Sequence, residues 1–272
     1  MSTSGKRPKY ITPERAGAFQ FESVARAYPK RPPYPHALVD ALGALVPEEG
    51  GSMLELGCGT GELSRRLAPR LAHVDAVDPS AAMMEVGRGE EGGDAPSLHW
   101  TQSPGEAFTT ERRYDLVLTA LSLHWMEWEE ILPKIVAWLK PGGVYVMVLS
   151  RTIRAVPWAD AIQELVPRYS LIQDFQPIDF RAEVDHFGLF DLSELHEVGP
   201  ERFEQTVDDY LDSWFSRAGF VRDRLAERAA NEFRAGIADS LQPHARFGTD
   251  GRQWVDIDVR ATFVIARPRR KP

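Results

Sequence analysis

Residues 54–68, LELGCGTGELSRRLA, run from an apolar stretch through Gly57, Gly59 and Gly61 at alternate positions into a helical pattern. A glycine loop between a strand and a helix is the most constraining feature of the chain. It presents backbone N–H groups and the positive end of a helix to whatever lies above it, and glycines let the backbone press close to a ligand. The surrounding rhythm extends the constraint. SMLELG predicts a strand, GELSRRLAPRL a helix, HVDAVD a strand and PSAAMMEVGRG a helix with Pro79 near its first position. SLHWTQ and YDLVLTA (114–120) read as further strands; Trp128, Ile131, Leu132, Ile135 and Leu139 line one helix face around an awkward Pro133, and KPGG (140–143) stops it. VYVMVLS follows as a strand apolar on both faces. Alternating strands and helices of this kind imply a parallel sheet covered on both sides.

The flanking segments read differently. The first ten residues are polar and aperiodic and are expected to form a tail. Phe21, Val24, Ala25 and Tyr28 fall at helical spacing before a proline-rich break, and a second helix is predicted from about Pro35 to Val46. Residues 151–244 are rich in aromatics and expected to be mostly helical; TVDD (206–209) resembles a capping box, and Leu225, Ala229, Phe233, Ile237 and Leu241 make a stripe best read as core packing. Val255, Ile257, Val259, Ala261, Phe263 and Ile265 alternate strictly, which predicts a final, antiparallel strand closing the sheet. The division expected is a tail and cap (1–35), a ligand-binding core (36–150), a helical lid (151–244) and a returning strand with a tail (245–272).

Three ligand classes use a glycine loop at a helix start. A nucleotide-triphosphate loop needs Gly-Lys-Ser/Thr, whereas Glu62 and Leu63 follow Gly61 here. The dinucleotide fingerprint needs a third glycine at position 62, which is Glu. A carboxylate at the helix end would repel a bound phosphate and favours a neutral or cationic ligand. S-adenosylmethionine, a nucleoside with a sulfonium and an amino-acid end and no phosphate, fits that expectation. Glu55 would face its ammonium end, directly or through water. Asp78 ends the second strand, 17 residues after Gly61, where a carboxylate is expected to accept both ribose hydroxyls.

LELGCGTG, VDAVDPS, SPGEAF, YDLVLTALSLHW and LKPGG, in that order, resemble the class I S-adenosylmethionine-dependent methyltransferases, a doubly wound, mostly parallel seven-stranded Rossmann-like α/β fold. The resemblance covers roughly residues 19–150 and is nearest to the small-molecule branch that includes trans-aconitate methyltransferase; FESVARAYPKRPPYP is similar to that branch's N-terminal cap. It implies that Gly57, Gly59 and Gly61 wrap the methionine and ribose, that Asp78 holds the ribose, and that Pro79 and Ser80 flank the adenine. Thr119 and Ala120 would meet the methionine end, and Tyr28 and Arg31 would close over the cofactor. Where the family commonly has an Asp for the adenine amino group this chain has Pro104, which leaves backbone groups of Gly105 and Glu106 to substitute.

Methyl transfer needs nucleophile, methyl and sulfur held in line and dry, and a base only for acceptors that must lose a proton. His124, in LSLHW, is the candidate base or acceptor-orienting group, its rival reading being packing of the His-Trp pair under the lid. Cys58 reads as a small loop residue with no base beside it, and the other histidines have no metal-ligand spacing, so no metal is predicted. Arg151, Arg154, Arg168, Arg181 and Arg217 fall in the lid, and one or two facing the cleft would recruit an acidic acceptor; the aromatic density there equally allows a large, flat one. A net charge of −8 argues against nucleic acid as a partner. The apolar runs are too short for a bilayer, and a single cysteine suits a reducing compartment, so a cytoplasmic enzyme on a small-molecule acceptor is expected. The alternatives are a protein of the same fold that binds the cofactor without transferring methyl and an RNA methyltransferase.

Overall fold

The computed structural model describes residues 11–153 and 156–269, so the expected N-terminal tail and Arg154 lie outside the described residues. In chain order the elements are α1 (Pro13–Ala16), α2 (Glu22–Ala27), α3 (His36–Gly43), β1 (Ser52–Leu56), α4 (Glu62–Leu67), β2 (His73–Asp78), α5 (Ala81–Gly89), β3 (Leu98–Gln102), β4 (Tyr114–Ala120), α6 (Trp128–Trp138) and β5 (Leu139–Ile153). There follow α7 (Ala159–Tyr169), α8 (Phe180–His186), β6 (Phe190–Leu192), β7 (His196–Thr206), α9 (Val207–Trp214), α10 (Glu227–Leu241), β8 (Arg246–Phe247) and β9 (Gln253–Pro268). The sheet order is β3-β2-β1-β4-β5-β9-β6, with β7 and β8 also paired to β9. The first five strands are mutually parallel and β9 is antiparallel to its neighbours. This is the doubly wound, mostly parallel Rossmann-like sheet expected, with two added strands.

Alternation along the strands builds two layers. Met53, Val74, Ala76, Leu116, Leu118, Val144 and Val146 face Leu38, Leu42, Leu63 and Leu67 of α3 and α4. The intervening Leu54, Leu56, Val77, Val117, Tyr145 and Met147 face Trp128, Ile131, Leu132 and Ile135 of α6. The inward side chains of these strands are mostly apolar because both faces are covered, with Glu55 and Asp78 as buried exceptions. Pro133 lies within α6 rather than at its start, and Pro79 falls before α5, whose N-cap is Ser80, its Oγ accepting the Met83 N–H at 3.2 Å.

The segment 151–244 departs from the helical expectation. It contributes β6 and β7, and β7 runs antiparallel along β9 from His196 to Thr206. Most side chains of β7 are exposed or half-buried, so its sequence lacks the apolar alternation that would mark it; pairing with β9 makes it a strand. The length of β9 explains the architecture. Its C-terminal half pairs with β5 and β6, while Val255, Ile257 and Val259 in its N-terminal half join Trp158, Ile162, Tyr210, Phe215, Phe233 and Ile237 in a third core. The stripe of α10 packs there, and Thr206 caps α9 by accepting the Asp209 N–H at 3.1 Å while its hydroxyl donates to the Asp209 carboxylate at 2.8 Å.

Candidate functional site

The sheet reverses its winding between β1 and β4, and open α/β sheets bind ligands outside the carboxyl ends of the strands at that point. A cleft lies there, lined by Gly57 and Gly59 after β1, Asp78 and Pro79 after β2, Pro104, Gly105 and Glu106 after β3, and Ala120, Leu121 and Ser122 after β4. The cap supplies Ala16, Phe19, Gln20 and Tyr28. The cap is fastened to the core by Ser80, whose Oγ donates to the Phe19 carbonyl at 2.6 Å, and by the edge-on Phe19–Trp125 ring pair, 5.5 Å between centroids.

The glycine loop is held in a left-handed backbone, with φ of +67° at Gly57, +58° at Gly59 and +65° at Gly61. A Cβ at Gly57 would fall 2.5 Å from that of Ser122, so glycine there allows the β1 and β4 loops to touch at the cleft floor. Gly61 serves a different purpose. A Cβ on it would lie 2.4 Å from the Trp100 ring, which packs under the loop away from the cleft.

Asp78 is 7% exposed and sits at the centre of the site. One carboxylate oxygen accepts the Gly59 N–H at 2.7 Å and the other the Ser80 N–H at 2.8 Å. Burial raises its pKa, and these two amides oppose the rise. Each oxygen still has acceptor capacity toward the cleft.

Several expected residues turn away from the cleft. Glu55 is buried and accepts from the N–H of Ser64 at 3.0 Å and from its hydroxyl, so it caps α4 from the neighbouring strand instead of facing a ligand. Burial pushes its carboxyl up to about 7. Glu62 accepts the Tyr34 N–H at 2.6 Å and pairs with the buried Arg151 at 2.9 Å, so the loop presents no bare negative charge of the kind expected to repel phosphate. What disfavours a phosphate is the loop's own bonding. The N–H groups of Gly57 and Cys58 are given to the Val77 carbonyl, that of Gly59 to Asp78 and that of Gly61 to the Cys58 carbonyl. Among the described residues no lysine or arginine lines the cleft, while Asp78 and Glu106 do. Arg31 is spent on the Ser216 hydroxyl (2.7 Å) and carbonyl (2.5 Å), with its guanidinium 4.1 Å from the Tyr28 ring centroid. Thr119 points to the Tyr145 hydroxyl at 2.8 Å, leaving Ala120 on the cleft wall, and Ser80 is fully buried. Cys58 is buried and its thiol is pushed well up, which suits a small loop residue and makes it a poor nucleophile.

A second cavity of about 510 Å³ adjoins the first under the lid. Leu121 and Trp125 line both, so they form the wall between them. Leu121 has φ +54°, a left-handed conformation costly for a non-glycine residue and characteristic of functional sites. His124 lines the second cavity against Trp125 and Phe180, with ring centroids 4.7 and 5.9 Å away. Burial pushes its imidazole down to about 4, so it is neutral at pH 7 and weak as a base. Phe19, Leu121, Ser122, Trp125 and Met126 are site residues that the sequence reading misses; adjacency of Trp125 to His124 was the one available signal, and no side chain announces the backbone of Leu121.

Residues 53–143 match the family model described as a methyltransferase domain. The chain carries a class I S-adenosylmethionine-dependent methyltransferase domain. An uncharacterised methyltransferase of Mycobacterium tuberculosis is 30% identical to it over 152 residues, 56% of this chain and 60% of the relative, so the match leaves two fifths of that relative outside it. The ubiquinone biosynthesis O-methyltransferase of Xylella fastidiosa is 29% identical over 224 residues, 77% of this chain and 84% of that one. The structure of an S-adenosylmethionine-dependent methyltransferase from Geobacter sulfurreducens, in complex with S-adenosyl-L-homocysteine, shares the fold with a TM-score of 0.51 at 16% identity, over 95% of this chain and 99% of that one. The methyltransferase domain thus coincides with β1 to the start of β5 and contains the glycine loop, Asp78 and the β4 loop. Among the described residues no helix is long and apolar enough to cross a membrane.

Proposed function

We propose that the whole chain transfers the methyl group of S-adenosylmethionine to a small-molecule acceptor held in the cavity under the lid. The observation that carries this reading is the shared wall: a phosphate-averse nucleoside cleft centred on Asp78 meets an apolar cavity across Leu121 and Trp125. Asp78 would accept the ribose hydroxyls, the backbone of Gly57 and Gly59 with Ala120 would meet the methionine end, Pro79, Gly105 and Glu106 would flank the adenine, and Tyr28 would close the cap. When bound, the cofactor supplies a methyl on a sulfonium, already activated toward a nucleophile. The chain then has to orient and desolvate, and an apolar cavity with few charged groups does both.

Glu55, Gly61, Ser80, Thr119 and Arg31 support this site from behind. His124, neutral in its aromatic setting, suits hydrogen bonding to an acceptor better than proton removal, which favours an acceptor that reacts without a strong base. The functional division we propose is the cap (1–35), the core (36–150), the lid (151–244, including β6 and β7) and the returning strand (245–272), working in the cytoplasm without nucleic acid as substrate. The name of the Xylella relative supports a small acceptor. Incubation with methyl-labelled cofactor and a panel of small acids, phenols and amines tests the reading. Label in at least one acceptor is expected; tight cofactor binding with label in none favours a non-transferring protein, and label in transfer RNA would move the acceptor class.

A further inference from the structure

We propose that the cavity under the lid takes an acceptor with an anionic group on an apolar body, the anion pairing with Arg217. This rests on the methyltransferase reading of the same site. The cavity wall is largely aliphatic and aromatic, and its cations are Arg15 and Arg217. Arg15 is neutralised by Asp174 at 2.8 Å. Arg217 donates to the Ser213 carbonyl at 2.8 Å and lies over the Trp214 ring, 4.1 Å from its centroid, and no carboxylate among the described residues pairs with it.

The charges that act on Arg217 sharpen the case. Burial lowers its pKa first, and Arg31 and Arg151 lower it further. Of these, Arg151 is matched by Glu62 and Arg31 is held by Ser216, so the pocket end at Arg217 carries unbalanced positive charge. A largely buried guanidinium without a counter-ion is costly, and a planar carboxylate accepting its free N–H groups removes that cost. The remaining wall, including Leu121, Phe180 and Phe220, is mainly apolar; its polar groups are the neutral His124 and Ser170, whose hydroxyl is bonded to the Ile172 backbone, so it selects a mostly apolar body.

The test uses the full chain saturated with S-adenosyl-L-homocysteine, titrated by calorimetry with 2-naphthoate and 2-naphthamide and with decanoate and decanamide. At least one acid should bind ten-fold or more tightly than its amide. In R217M that ratio should fall to within about two-fold while the amide's affinity and that of S-adenosyl-L-homocysteine stay within three-fold; R217K should keep part of the preference. Binding of neither acid, equal binding of acid and amide, or an undiminished ratio in R217M overturns the proposal. If R217M does not fold, the wild-type ratio and R217K decide. Failure of S-adenosyl-L-homocysteine to bind defeats the cofactor reading separately, because the acid preference is measurable on the chain alone.

Discussion

Glu55 separates a ligand-facing carboxylate from a structural one, and Glu55→Gln tests which it is. Its carboxyl is 2% exposed and its described partners are the N–H and hydroxyl of Ser64. Burial, with Glu62 and Asp78 adding to it, raises its pKa from 4.5 to about 7. The folded state therefore binds this proton more tightly than the unfolded chain, so the contribution to stability is complete below pH 4.5 and is lost as pH rises through 7. At about 1.4 kcal/mol per pH unit the loss is about 3 kcal/mol. The amide introduced by E55Q would accept from Ser64 without titrating, at a pH-independent cost for its extra buried donor. Urea denaturation followed by circular dichroism should show wild-type stability falling relative to E55Q by about 3 kcal/mol between pH 4.5 and 8, equivalent to roughly 6 to 12 °C in Tm for a chain of this size. S-adenosyl-L-homocysteine affinity should not change. Parallel stability profiles would refute the burial argument, and a ten-fold loss of affinity would show that Glu55 reaches the ligand.

Three further substitutions test the remaining contacts. Asp78→Ala frees the N–H groups of Gly59 and Ser80 and removes the proposed ribose acceptor, so calorimetry should show S-adenosyl-L-homocysteine binding weakened by at least ten-fold; unchanged affinity in a folded variant would remove Asp78 from the site. Gly61→Ala puts a Cβ 2.4 Å from the Trp100 ring at φ +65°, whereas Gly142→Ala meets nothing within 4 Å at φ +85°. The second should cost about 1 to 2 kcal/mol of backbone strain in thermal melts and the first clearly more, equality showing that Trp100 yields. Arg151→Met removes the nearer guanidinium partner of Glu62, leaving it Arg66 at 3.6 Å and the Tyr34 N–H, and should destabilise by about 1.5 to 3 kcal/mol, with E62Q/R151M recovering much of it; no recovery would mean that packing of Arg151 on Tyr34, not charge, is what is lost.

The core was legible because parallel strands buried on both faces have to be largely apolar, and β1, β4 and β5 carry the apolar runs SML, LVL and VYVMVL. β9 was legible by alternation, since one set of its side chains closes two cores in succession. β7 was not, because HEVGPERFEQT owes its strand to β9 and most of its side chains meet water. Positions of cleft residues followed from strand ends, but the directions of their side chains did not. Thr119 and Ala120 are neighbours on β4 and so face opposite sides, and only Ala120 meets the cleft. Glu62 looked like a charge over the helix end, and Arg151, 89 residues later in the sequence, neutralises it. Gly61 fitted the ligand-wrapping pattern, yet it is glycine to make room for Trp100.

These cross-connections tie the two cavities together. The cap that roofs the first cleft is bonded to the segment that roofs the second cavity: Arg31 to Ser216, Lys30 to Asp212 at 2.6 Å and Asp209 at 3.2 Å, and Gln205 to the Lys30 carbonyl. Ser216 directly precedes Arg217, and the Arg31 guanidinium lies over Tyr28, which lines the cleft. Tyr28, Arg31 and Ser216 thus form one run of contacts from the first cleft to the residue beside the cation of the second cavity. Exposed ion pairs such as Lys30 with Asp209 contribute little each, but the half-buried Arg31 contacts do not dissociate without leaving guanidinium donors to find other partners. Cap and lid are therefore better regarded as one cover than as two, with the long strand β9 packing against both the core and the lid.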